Sequence, residues 1–466
     1  MARGAVAAFA LLSPLLGTEA AASGANPFAK GPYVQDLSAT SAEVRVEVDP
    51  PAPVTLDLGD AATPGRFEHK QAASFHTFPV TGLSPKTLYR YNVTSGIAQK
   101  AGTFTTAPPN TGGDAVKFLI YGDNRSDDSA HAAVVRAMVA HPADFLLNTG
   151  DLVEHGGLPG LWQRFFEIEA PLLSSECVFP TIGNHELVDK DASLYLRYFG
   201  PSAAFRDGGA PATPELHRTF RWGFMRFFLL GGFGDTSALE SERRWLEDEL
   251  TRADHEEGLA FRIVMTHHGP WSSGPHGRNA KLHDTAIVQA MRAHHVSLML
   301  SGHDHIYERG QADDLPYMVS GGGGAPSYEQ KERLSCTRCF ESARHFVEVR
   351  ATPTVMTFTA LRIDGSKIEE CGLPATGTGW DCDSRAPAGV DGGPAAPTST
   401  PASNPGEVKT DTAKSSCACS VVGAPGPASA SASLIGDRRT SVLAFLGLFL
   451  LGARRYARRR CAPPRS

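Results

Sequence analysis

The chain has 466 residues, which is long enough for two or three domains of ordinary size. Its hydrophobic fraction of 41% is slightly below that of a typical globular chain, so core-forming domains must be diluted by segments that bury little. The formal net charge of −6 predicts no broad basic face and argues against nucleic acid as a partner.

The first residues have the pattern of a secretory signal peptide, which we place at residues 1–24. A positive start at Arg3 is followed by an apolar core from Ala5 to Leu16 and by the small residues Ala20–Ala22. The apolar core is too short and wrongly flanked for a membrane span. We therefore expect an exported protein and exclude this segment from the fold.

Residues 31–108 have the short alternating runs of a small all-β sandwich. In Ser41–Val48 and Leu88–Val93, polar and apolar residues alternate with the period of a half-buried strand, and turn residues separate such runs. The region around Tyr89 and Tyr91 resembles the corner of fibronectin type III-like domains. The resemblance implies that both tyrosines are structural, with a hydroxyl that anchors the corner.

The next region, residues 115–365, alternates apolar runs with helical patterns and therefore predicts an α/β domain. Five near-continuous apolar runs have the character of strands buried on both faces, and each ends in a short polar cluster. Functional groups of such sheets lie beyond the carboxyl ends of the strands, so we expect these clusters to meet. Their side chains of metal-ligand type are Asp123, Asp151, Asn184, His267, His303 and His305.

These two carboxylates, one amide oxygen and three imidazoles form a nitrogen and oxygen set without thiolate. Such a set suits Zn, Mn or Fe better than Mg or Ca. It exceeds one tetrahedral site and suffices for two divalent or trivalent ions if one carboxylate bridges them. Two ions can clamp an in-line phosphoryl displacement and provide a metal-bridging hydroxide as nucleophile. The ligand set therefore predicts a metal-dependent enzyme that acts on phosphate esters.

The order G-D, G-D, G-N-H-E, H-x-x-P, G-H-x-H resembles the calcineurin-like metallophosphoesterase superfamily over residues 116–365. With a β-sandwich in front and the ending G-H-D-H-I-Y-E-R, the resemblance is closest to purple acid phosphatases. It implies two stacked mixed sheets flanked by helices. It also implies that Asp151 bridges two ions and that Asp123 and His305 bind the first of them. The ligands of the second ion would be Asn184, His267 and His303.

The same resemblance implies which residues contact the substrate. His185 would lie beside the phosphate, as a donor to it or as the acid for the leaving group, and His276 resembles a second histidine near the substrate. Arg125 stays charged and cannot bind a metal, but its guanidinium suits bidentate contact with phosphate. The alternative for Arg125 is a salt bridge to Asp127 or Asp128.

Two positions depart from the pattern of relatives. Glu154 stands where purple acid phosphatases carry a tyrosine, so we predict that the protein is not purple. Arg125 stands where many other members of the superfamily carry a histidine. The first metal site therefore lacks a usual ligand, for which Glu154, His131 and a water molecule are the candidates. Because neighbouring side chains of a strand alternate, only one of His267 and His268 is expected to point inward, and the family pattern favours His267.

Four cysteines fall late in this region or just after it. Cys336 and Cys339 have C-x-x-C spacing, and Cys371 and Cys382 follow. The four residues could bind zinc, but an oxidising compartment favours disulfides, with Cys336–Cys339 and Cys371–Cys382 as the expected pairs. The sequence alone does not settle the pairing. Cys177 falls on a buried run and is expected to be an inert core thiol.

The remaining chain has two further parts. Residues 384–433 are almost wholly Pro, Ala, Gly, Ser and Thr and cannot bury enough apolar surface to fold, so we expect a disordered stalk. Residues 440–460 combine a short hydrophobic helix with a cluster of arginines that would stay cytoplasmic. With Cys417 and Cys419 upstream, this end resembles the MYXO-CTERM type of bacterial sorting signal, and the alternative is an ordinary tail anchor. We expect membrane contact before processing and a secreted or surface-displayed bacterial protein.

The resemblance implies a metal-dependent phosphatase that hydrolyses small phosphomonoesters, and two alternatives to it stay open. One is a phosphodiesterase or nucleotidase of the same superfamily, which would use the same ligands on a different ester. The other is a surface binding protein whose incomplete metal site has lost catalysis. Turnover of model phosphate esters in the presence of added metal separates these three possibilities.

Overall fold

The structure is a computed structural model that describes residues 26–59, 65–188, 191–201, 216–231, 236–376 and 379–382. The predicted signal peptide, the predicted stalk and the C-terminal hydrophobic segment lie outside these described residues. In the part of the chain that is described, no helix combines the length and the apolar character needed to cross a membrane.

An antiparallel region of five strands comes first. Its strands are β1 (Phe28–Gln35), β2 (Ser41–Gly59), β3 (Gly65–Thr81), β4 (Leu88–Ser95) and β5 (Ala98–Thr105). Strands β2 and β3 form a long hairpin whose register shifts between Glu47 and Val54. Strand β1 pairs with β2 before this shift, and β4 pairs with β2 after it. An antiparallel sheet region thus precedes the α/β domain as expected, and its assignment as fibronectin type III-like stays a prediction.

Two buried tyrosines of β4 have structural roles. The hydroxyl of Tyr89 accepts a hydrogen bond from the backbone N–H of Ser84 at 2.8 Å and so anchors the turn before its own strand. Tyr91 lies directly across the β4–β5 pair from Gly102. A Cβ atom at Gly102 would overlap the Tyr91 hydroxyl, so this close approach requires glycine.

Thirteen strands and six helices follow in the described residues. The strands are β6 (Val116–Tyr121), β7 (Phe145–Asn148), β8 (Cys177–Pro180), β9 (Arg218–Trp222), β10 (Met225–Leu230), β11 (Phe261–Thr266), β12 (Leu298–Ser301), β13 (Tyr307–Ala312), β14 (Leu315–Ser320), β15 (Thr337–Glu341), β16 (His345–Ala351), β17 (Val355–Arg362) and β18 (Lys367–Pro374). The helices are α1 (Asp128–Val139), α2 (Pro159–Leu173), α3 (Ser193–Phe199), α4 (Thr236–Ala253), α5 (Ala280–Asp284) and α6 (Ile287–Ala293).

These strands form two mixed sheets. The first has the order β18-β17-β16-β6-β7-β8, in which β6, β7 and β8 are parallel and β16 is antiparallel to β6. The second has the order β15-β13-β14-β12-β11-β10-β9, with β10, β11, β12 and β14 parallel. Phe118 and Phe145 of the first sheet pack against Phe227 of the second, at 5.8 Å and 5.5 Å between ring centres. The prediction of two stacked mixed sheets flanked by helices is confirmed.

Helix α1 illustrates how local sequence fixes an element beside the strand ends. The carboxylate of Asp127 accepts a hydrogen bond from the backbone N–H of Ala130 at 3.0 Å, which satisfies an unpaired donor of the first turn. Val134, Val135 and Met138 fall on one buried face at helical spacing. The cap and the buried face together hold the loop between β6 and α1 in place.

The cysteines agree only in part with the expected pairing. Cys371 and Cys382 form a disulfide, whereas Cys336 and Cys339 are not joined by one. The predicted Cys336–Cys339 pair is therefore wrong. Cys336 lies in the turn before β15, with its Sγ atom 3.5 Å from the hydroxyl of Tyr317, whereas Cys339 is buried on the strand itself. Cys177 is fully buried on β8, as expected of a core thiol.

Candidate metal centre

The six side chains predicted as ligands come together at the carboxyl ends of five strands. The segments after β6, β7, β8, β11 and β12 supply, in that order, Asp123, Asp151, Asn184, His267 and the pair His303 and His305. Asp123, Asp151 and His303 have positive φ angles of 59°, 55° and 70°. Such angles are uncommon for residues other than glycine and are typical of sharply turned functional loops.

One half of the site is built around the amide oxygen of Asn184. The Nε2 atom of His267 lies 3.1 Å from Asn184 Oδ1 and 3.2 Å from Asp151 Oδ1. Its Nδ1 atom donates to the carbonyl of Thr149 at 2.8 Å, which orients the ring. The ring of His303 lies 5.1 Å from that of His267, centre to centre. Although burial alone would lower it, the negative charge of Asp151 raises the pKa of His267 to about 9.

His268 belongs to the same half. Its Nε2 atom lies 3.0 Å from Asn184 Oδ1, and its ring centre lies 3.8 Å from that of His303. The expectation that only one of the two adjacent histidines points inward is wrong, because strand β11 ends at Thr266 and its alternation no longer applies. Two histidines in succession after a buried run were the available signal. Burial lowers the pKa of His268 to about 3, so its ring is neutral near neutral pH.

The other half is built around Asp123 and His305. Asp123 Oδ2 accepts a hydrogen bond from the backbone N–H of His303 at 3.0 Å. Its Oδ1 atom is buried with no hydrogen-bond partner among the described residues, and lies 3.6 Å from His305 Nε2. His305 Nδ1 donates to the carbonyl of Pro326 at 2.8 Å, so Nε2 carries the lone pair. A fully buried carboxylate oxygen without a partner is costly unless a cation or a proton completes it.

These donors fit a metal ion. In two overlapping groups the ligand atoms lie within 4.8 Å of one another. The first group is Asp123, Asp151 and His267, and the second is His267, His268 and His303. Burial raises the pKa of Asp123 to about 8, which is the behaviour of a carboxylate that a cation would stabilise. A cluster that can hold metal is therefore present, and the role of each side chain as a ligand stays a prediction.

Arg125 lies within the Asp123 half. Its Nε atom donates to Asp151 Oδ2 at 3.0 Å, and its Nη2 atom donates to His305 Nε2 at 3.3 Å. Its Nη1 atom donates to Glu154 Oε2 at 3.2 Å and to the hydroxyl of Ser126 at 3.1 Å. The guanidinium thus uses all three of its nitrogens on the cluster and on the loop beside it.

The alternative partners expected for Arg125 are engaged elsewhere. Asp127 caps α1 and forms a salt bridge with Arg344 at 3.0 Å. Asp128 forms a salt bridge with Arg164 of α2 at 2.8 Å. Each of these carboxylates is thus paired with another arginine, and Arg125 contacts the cluster instead of forming the alternative salt bridge.

The two side chains considered as a further metal ligand also have other partners. Glu154 accepts hydrogen bonds from Arg125 and from the hydroxyl of Ser126, and about half of its side chain is exposed. His131 is buried on α1, with its Nε2 atom 2.7 Å from Glu169 Oε1. The suggestion that His131 reaches the site is therefore wrong, because Glu169 holds it within the helix layer.

Comparison with known proteins fits this geometry. Residues 116–307 match the family described as calcineurin-like phosphoesterase. This region is a calcineurin-like phosphoesterase domain.

Curated relatives of the chain include purple acid phosphatases of Arabidopsis thaliana. Purple acid phosphatase 3 is 26% identical over 292 residues, which cover 53% of this chain and 74% of that protein. Purple acid phosphatase 23 is 25% identical over 150 residues, which cover 32% of each. The chain thus matches about a third of the length of the second relative and about three quarters of the first.

Solved structures show the same fold. The purple acid phosphatase PPD1 from yellow lupin (Lupinus luteus) seeds superposes with a TM-score of 0.61 at 16% identity, covering 75% of each chain. A structure of PhoD superposes with a TM-score of 0.61 at 13% identity, covering 80% of this chain and 94% of that one. The predicted resemblance to metallophosphoesterases of the purple acid phosphatase type is confirmed, and that to a sorting signal stays a prediction.

Two further histidines of the phosphoesterase domain, those expected to face the substrate, flank the cluster. His185 Nδ1 donates to the carbonyl of Glu154 at 2.7 Å, and its Nε2 atom lies 3.9 Å from Asp151 Oδ2. The ring of His276 lies 3.8 Å from that of His303, and nearly half of its side chain is exposed. The structure therefore places both histidines where a ligand of the cluster could be reached.

Glu186 ties two loops of the phosphoesterase domain together. Its buried carboxylate accepts hydrogen bonds from the backbone N–H groups of Gly183, Asp151 and Val153 at 2.7, 3.1 and 3.1 Å. The segments after β7 and β8 are thereby held in one arrangement. A Cβ atom at Gly183 would overlap Asp151, so the residue before Asn184 must be glycine.

A cavity of about 1010 Å³ opens beside the Asn184 half of the cluster. Its lining combines three imidazoles with aromatic and basic groups: His268, His276, His303, Trp271, Arg278 and Lys281. Volumes of this size hold small organic ligands. The phosphoesterase domain thus has a cluster of metal-ligand type at the wall of a cavity with basic residues.

Proposed function

We propose that the protein is a metal-dependent hydrolase of phosphomonoesters. The observation that carries the proposal is the convergence of buried nitrogen and oxygen donors, around Asn184 and Asp151, at the strand ends of a calcineurin-like phosphoesterase domain. Asn184, His267 and His303 would hold metal together with Asp151. When bound, metal would neutralise the charge of the phosphate and acidify the attacking water.

The chain's own residues would orient the ester and move the proton. His185 Nδ1 donates to the carbonyl of Glu154, so in its imidazolium form the ring would donate to a phosphate oxygen from Nε2. His276 Nδ1 is fixed by Asp304 at 2.7 Å, so its Nε2 atom would serve the leaving oxygen. As the new bond from water oxygen to phosphorus forms, the bond to the leaving oxygen breaks, and that oxygen takes a proton from the histidine.

The cavity would hold the organic part of the ester. Arg278 and Lys281 line it, so an anionic substrate would meet positive charge on the way to the cluster. The cavity also favours a second candidate function, a phosphodiesterase or nucleotidase, because about 1010 Å³ leaves room for a second substituent on phosphorus. We place the monoesterase first because the relatives at 22–26% identity are purple acid phosphatases.

Turnover of p-nitrophenyl phosphate and of bis(p-nitrophenyl) phosphate, with Mn, Zn or Fe added, tests the proposal. We expect faster turnover of the monoester. The variant Asp151→Asn should lower kcat by at least about 100-fold, because it removes charge from the centre of the cluster. The matched control is Asp128→Asn, which removes an exposed carboxylate on α1 and should leave turnover unchanged.

Three results would contradict the proposal in different ways. Preference for the diester would favour the phosphodiesterase. If neither ester were hydrolysed with any of the metals, the alternative of a surface binding protein without catalysis would be favoured. Full activity of Asp151→Asn would show that hydrolysis takes place away from this cluster.

A further inference from the structure

The guanidinium of Arg125 lies on the atoms that a first metal ion would need. Its Nε atom is 3.0 Å from Asp151 Oδ2 and its Nη2 atom is 3.3 Å from His305 Nε2. Asp151 and His305 are two of the three side chains predicted to bind that ion, and Asp123 is the third. A planar cation with donors in fixed directions therefore contacts two of these three side chains, Asp151 and His305.

The lone pair of His305 is committed to this contact. His305 Nδ1 donates to the carbonyl of Pro326 at 2.8 Å, so Nε2 is the acceptor nitrogen of the ring. The ring of Tyr328 stacks on His305 with centres 4.1 Å apart and an interplanar angle of 18°, which fixes its direction. An imidazole nitrogen has one lone pair, and it cannot accept from Arg125 and bind a metal ion at the same time.

The side chain of Arg125 is also held from its outer side. Its Nη1 atom donates to Glu154 Oε2 at 3.2 Å and to the hydroxyl of Ser126 at 3.1 Å. Only 14% of the Arg125 side chain is exposed. Glu154 is the residue that replaces the tyrosine of purple acid phosphatases, and Arg125 replaces the histidine of other relatives. The two departures from the pattern of relatives thus contact each other.

The Asn184 half contains one more possible metal ligand than the sequence predicted, namely His268. The Nε2 atoms of His267 and His268 lie 3.1 Å and 3.0 Å from the same oxygen of Asn184, and the His268 ring packs at 3.8 Å on that of His303. With Asp151 Oδ1 3.2 Å from His267 Nε2, this half alone has enough donors for one complete ion.

We propose that Arg125 supplies the positive charge of the first metal site, so that the protein binds a single metal ion, in the Asn184 half. The inference rests on the metal centre of the proposed function and changes its composition from two ions to one ion and one guanidinium. Glu154 is then the partner of Arg125 and does not bind metal. A phosphate held by the ion would meet the guanidinium on its other side.

The metal content of the full chain tests this inference. After equilibrium dialysis against Mn²⁺, and separately against Zn²⁺, elemental analysis should give one ion per chain for the wild type. Arg125→His should give two, because an imidazole ligand replaces the guanidinium and Asp151 and His305 are released. Arg164→His, which alters an exposed ion pair on α2, is the matched control and should stay at one.

Electron paramagnetic resonance gives a second readout on the same samples. Wild-type protein loaded with Mn²⁺ should show the spectrum of an isolated ion, and Arg125→His that of an exchange-coupled pair. Two ions or none in the wild type would overturn the inference, and so would an Arg125→His variant that folds and still binds one.

A second pair of variants keeps the test open if Arg125→His does not fold. His305→Ala should retain the single ion, since its lone pair faces Arg125, whereas His303→Ala should lose it. Loss of the ion in His305→Ala would overturn the inference. Ion counting needs no turnover, so a protein that binds one ion but cleaves no ester would contradict the proposed function and leave this inference standing.

Discussion

Asp304 shows how a single residue sets the direction of a histidine that faces the cavity. Its Oδ1 atom accepts from His276 Nδ1 at 2.7 Å and from the backbone N–H of His276 at 3.3 Å, and its other oxygen accepts from the hydroxyl of Ser272. Asp304 is buried between two histidines of the cluster, His303 and His305. The middle residue of the H-x-H motif is therefore a positioning residue, which the spacing of the histidines alone did not indicate.

The variant His276→Ala should distinguish esters by their leaving groups. An alkoxide needs a proton as it leaves, whereas p-nitrophenolate leaves readily without one. We expect kcat to fall by roughly 100-fold for an alkyl phosphate such as glycerol phosphate, and only a few-fold for p-nitrophenyl phosphate. The control is His294→Ala, which removes a similar pair with Asp254. His294 precedes strand β12, whereas Asp304 follows it. Equal losses on both esters would show that His276 does not deliver the proton.

Between elements, Glu176 joins the end of α2 to the start of β7. Its Oε1 atom accepts a hydrogen bond from the backbone N–H of Ala143 at 2.8 Å, while its Oε2 atom is buried with no partner in the described ranges. Burial raises the pKa of this carboxyl from 4.5 to about 7, more than the nearby Lys117 lowers it. The folded state therefore holds the proton more tightly than the unfolded state does.

This difference predicts a loss of stability as the pH rises. The contribution of Glu176 is fully favourable below its ordinary pKa of 4.5 and is lost by about pH 7. The loss amounts to at most about 3 kcal/mol in the free energy of unfolding. Glu176→Gln keeps an acceptor for Ala143 and cannot ionise, so it should be more stable than the wild type at pH 8 and similar at pH 4.5.

Urea unfolding of both proteins at the two pH values measures this effect. Glu167→Gln removes an exposed carboxylate from α2 and serves as the control, with no expected change in the pH dependence. The prediction would be contradicted if the difference in the free energy of unfolding between wild type and Glu176→Gln were the same at both pH values.

The strands that carry the site were predictable because a short stretch of sequence is enough to indicate each of them. Strands buried on both faces have unbroken apolar runs, so the sequence located the ends that carry Asp123, Asp151 and Asn184. The partners of Arg125 were not predictable, because Glu154 lies 29 positions away and His305 lies 180 positions away. Contacts at such separations depend on how the sheets stack and on which of several charged side chains pairs with a common partner.

At the scale of the whole molecule, the antiparallel region is joined to the phosphoesterase domain by buried polar contacts. Arg45 of β2 is 3% exposed, and its guanidinium donates to the carbonyls of Tyr198 and Gly200 at 2.8 Å and 2.7 Å. The hydroxyl of Tyr33 donates to the same Tyr198 carbonyl at 3.0 Å. Apolar residues of both regions also share one core cluster. The antiparallel region is thus part of the folded body that supports the strand ends.

Arg45→Ala should therefore destabilise the whole body. It would leave the buried carboxylate of Glu43, now 2.5 Å from Arg45 Nε, without its counter-ion, at a cost of about 3 kcal/mol. Differential scanning calorimetry should show one transition for the wild type and a lower single transition for the variant. Arg66→Ala, in an exposed ion pair of the same region, should cost less than about 1 kcal/mol. A separate early transition for the antiparallel region would contradict this prediction.

The positive φ angles of Asp123 and Asp151 also limit which side chains these positions can carry. Among residues other than glycine, aspartate and asparagine adopt the left-handed region most readily, and longer or branched side chains do so at a cost. The backbone therefore selects a short carboxylate before any metal is bound. Replacement by asparagine changes charge alone, whereas glutamate would change charge position and backbone together. The length of each predicted ligand side chain is in this sense set by the turn that carries it.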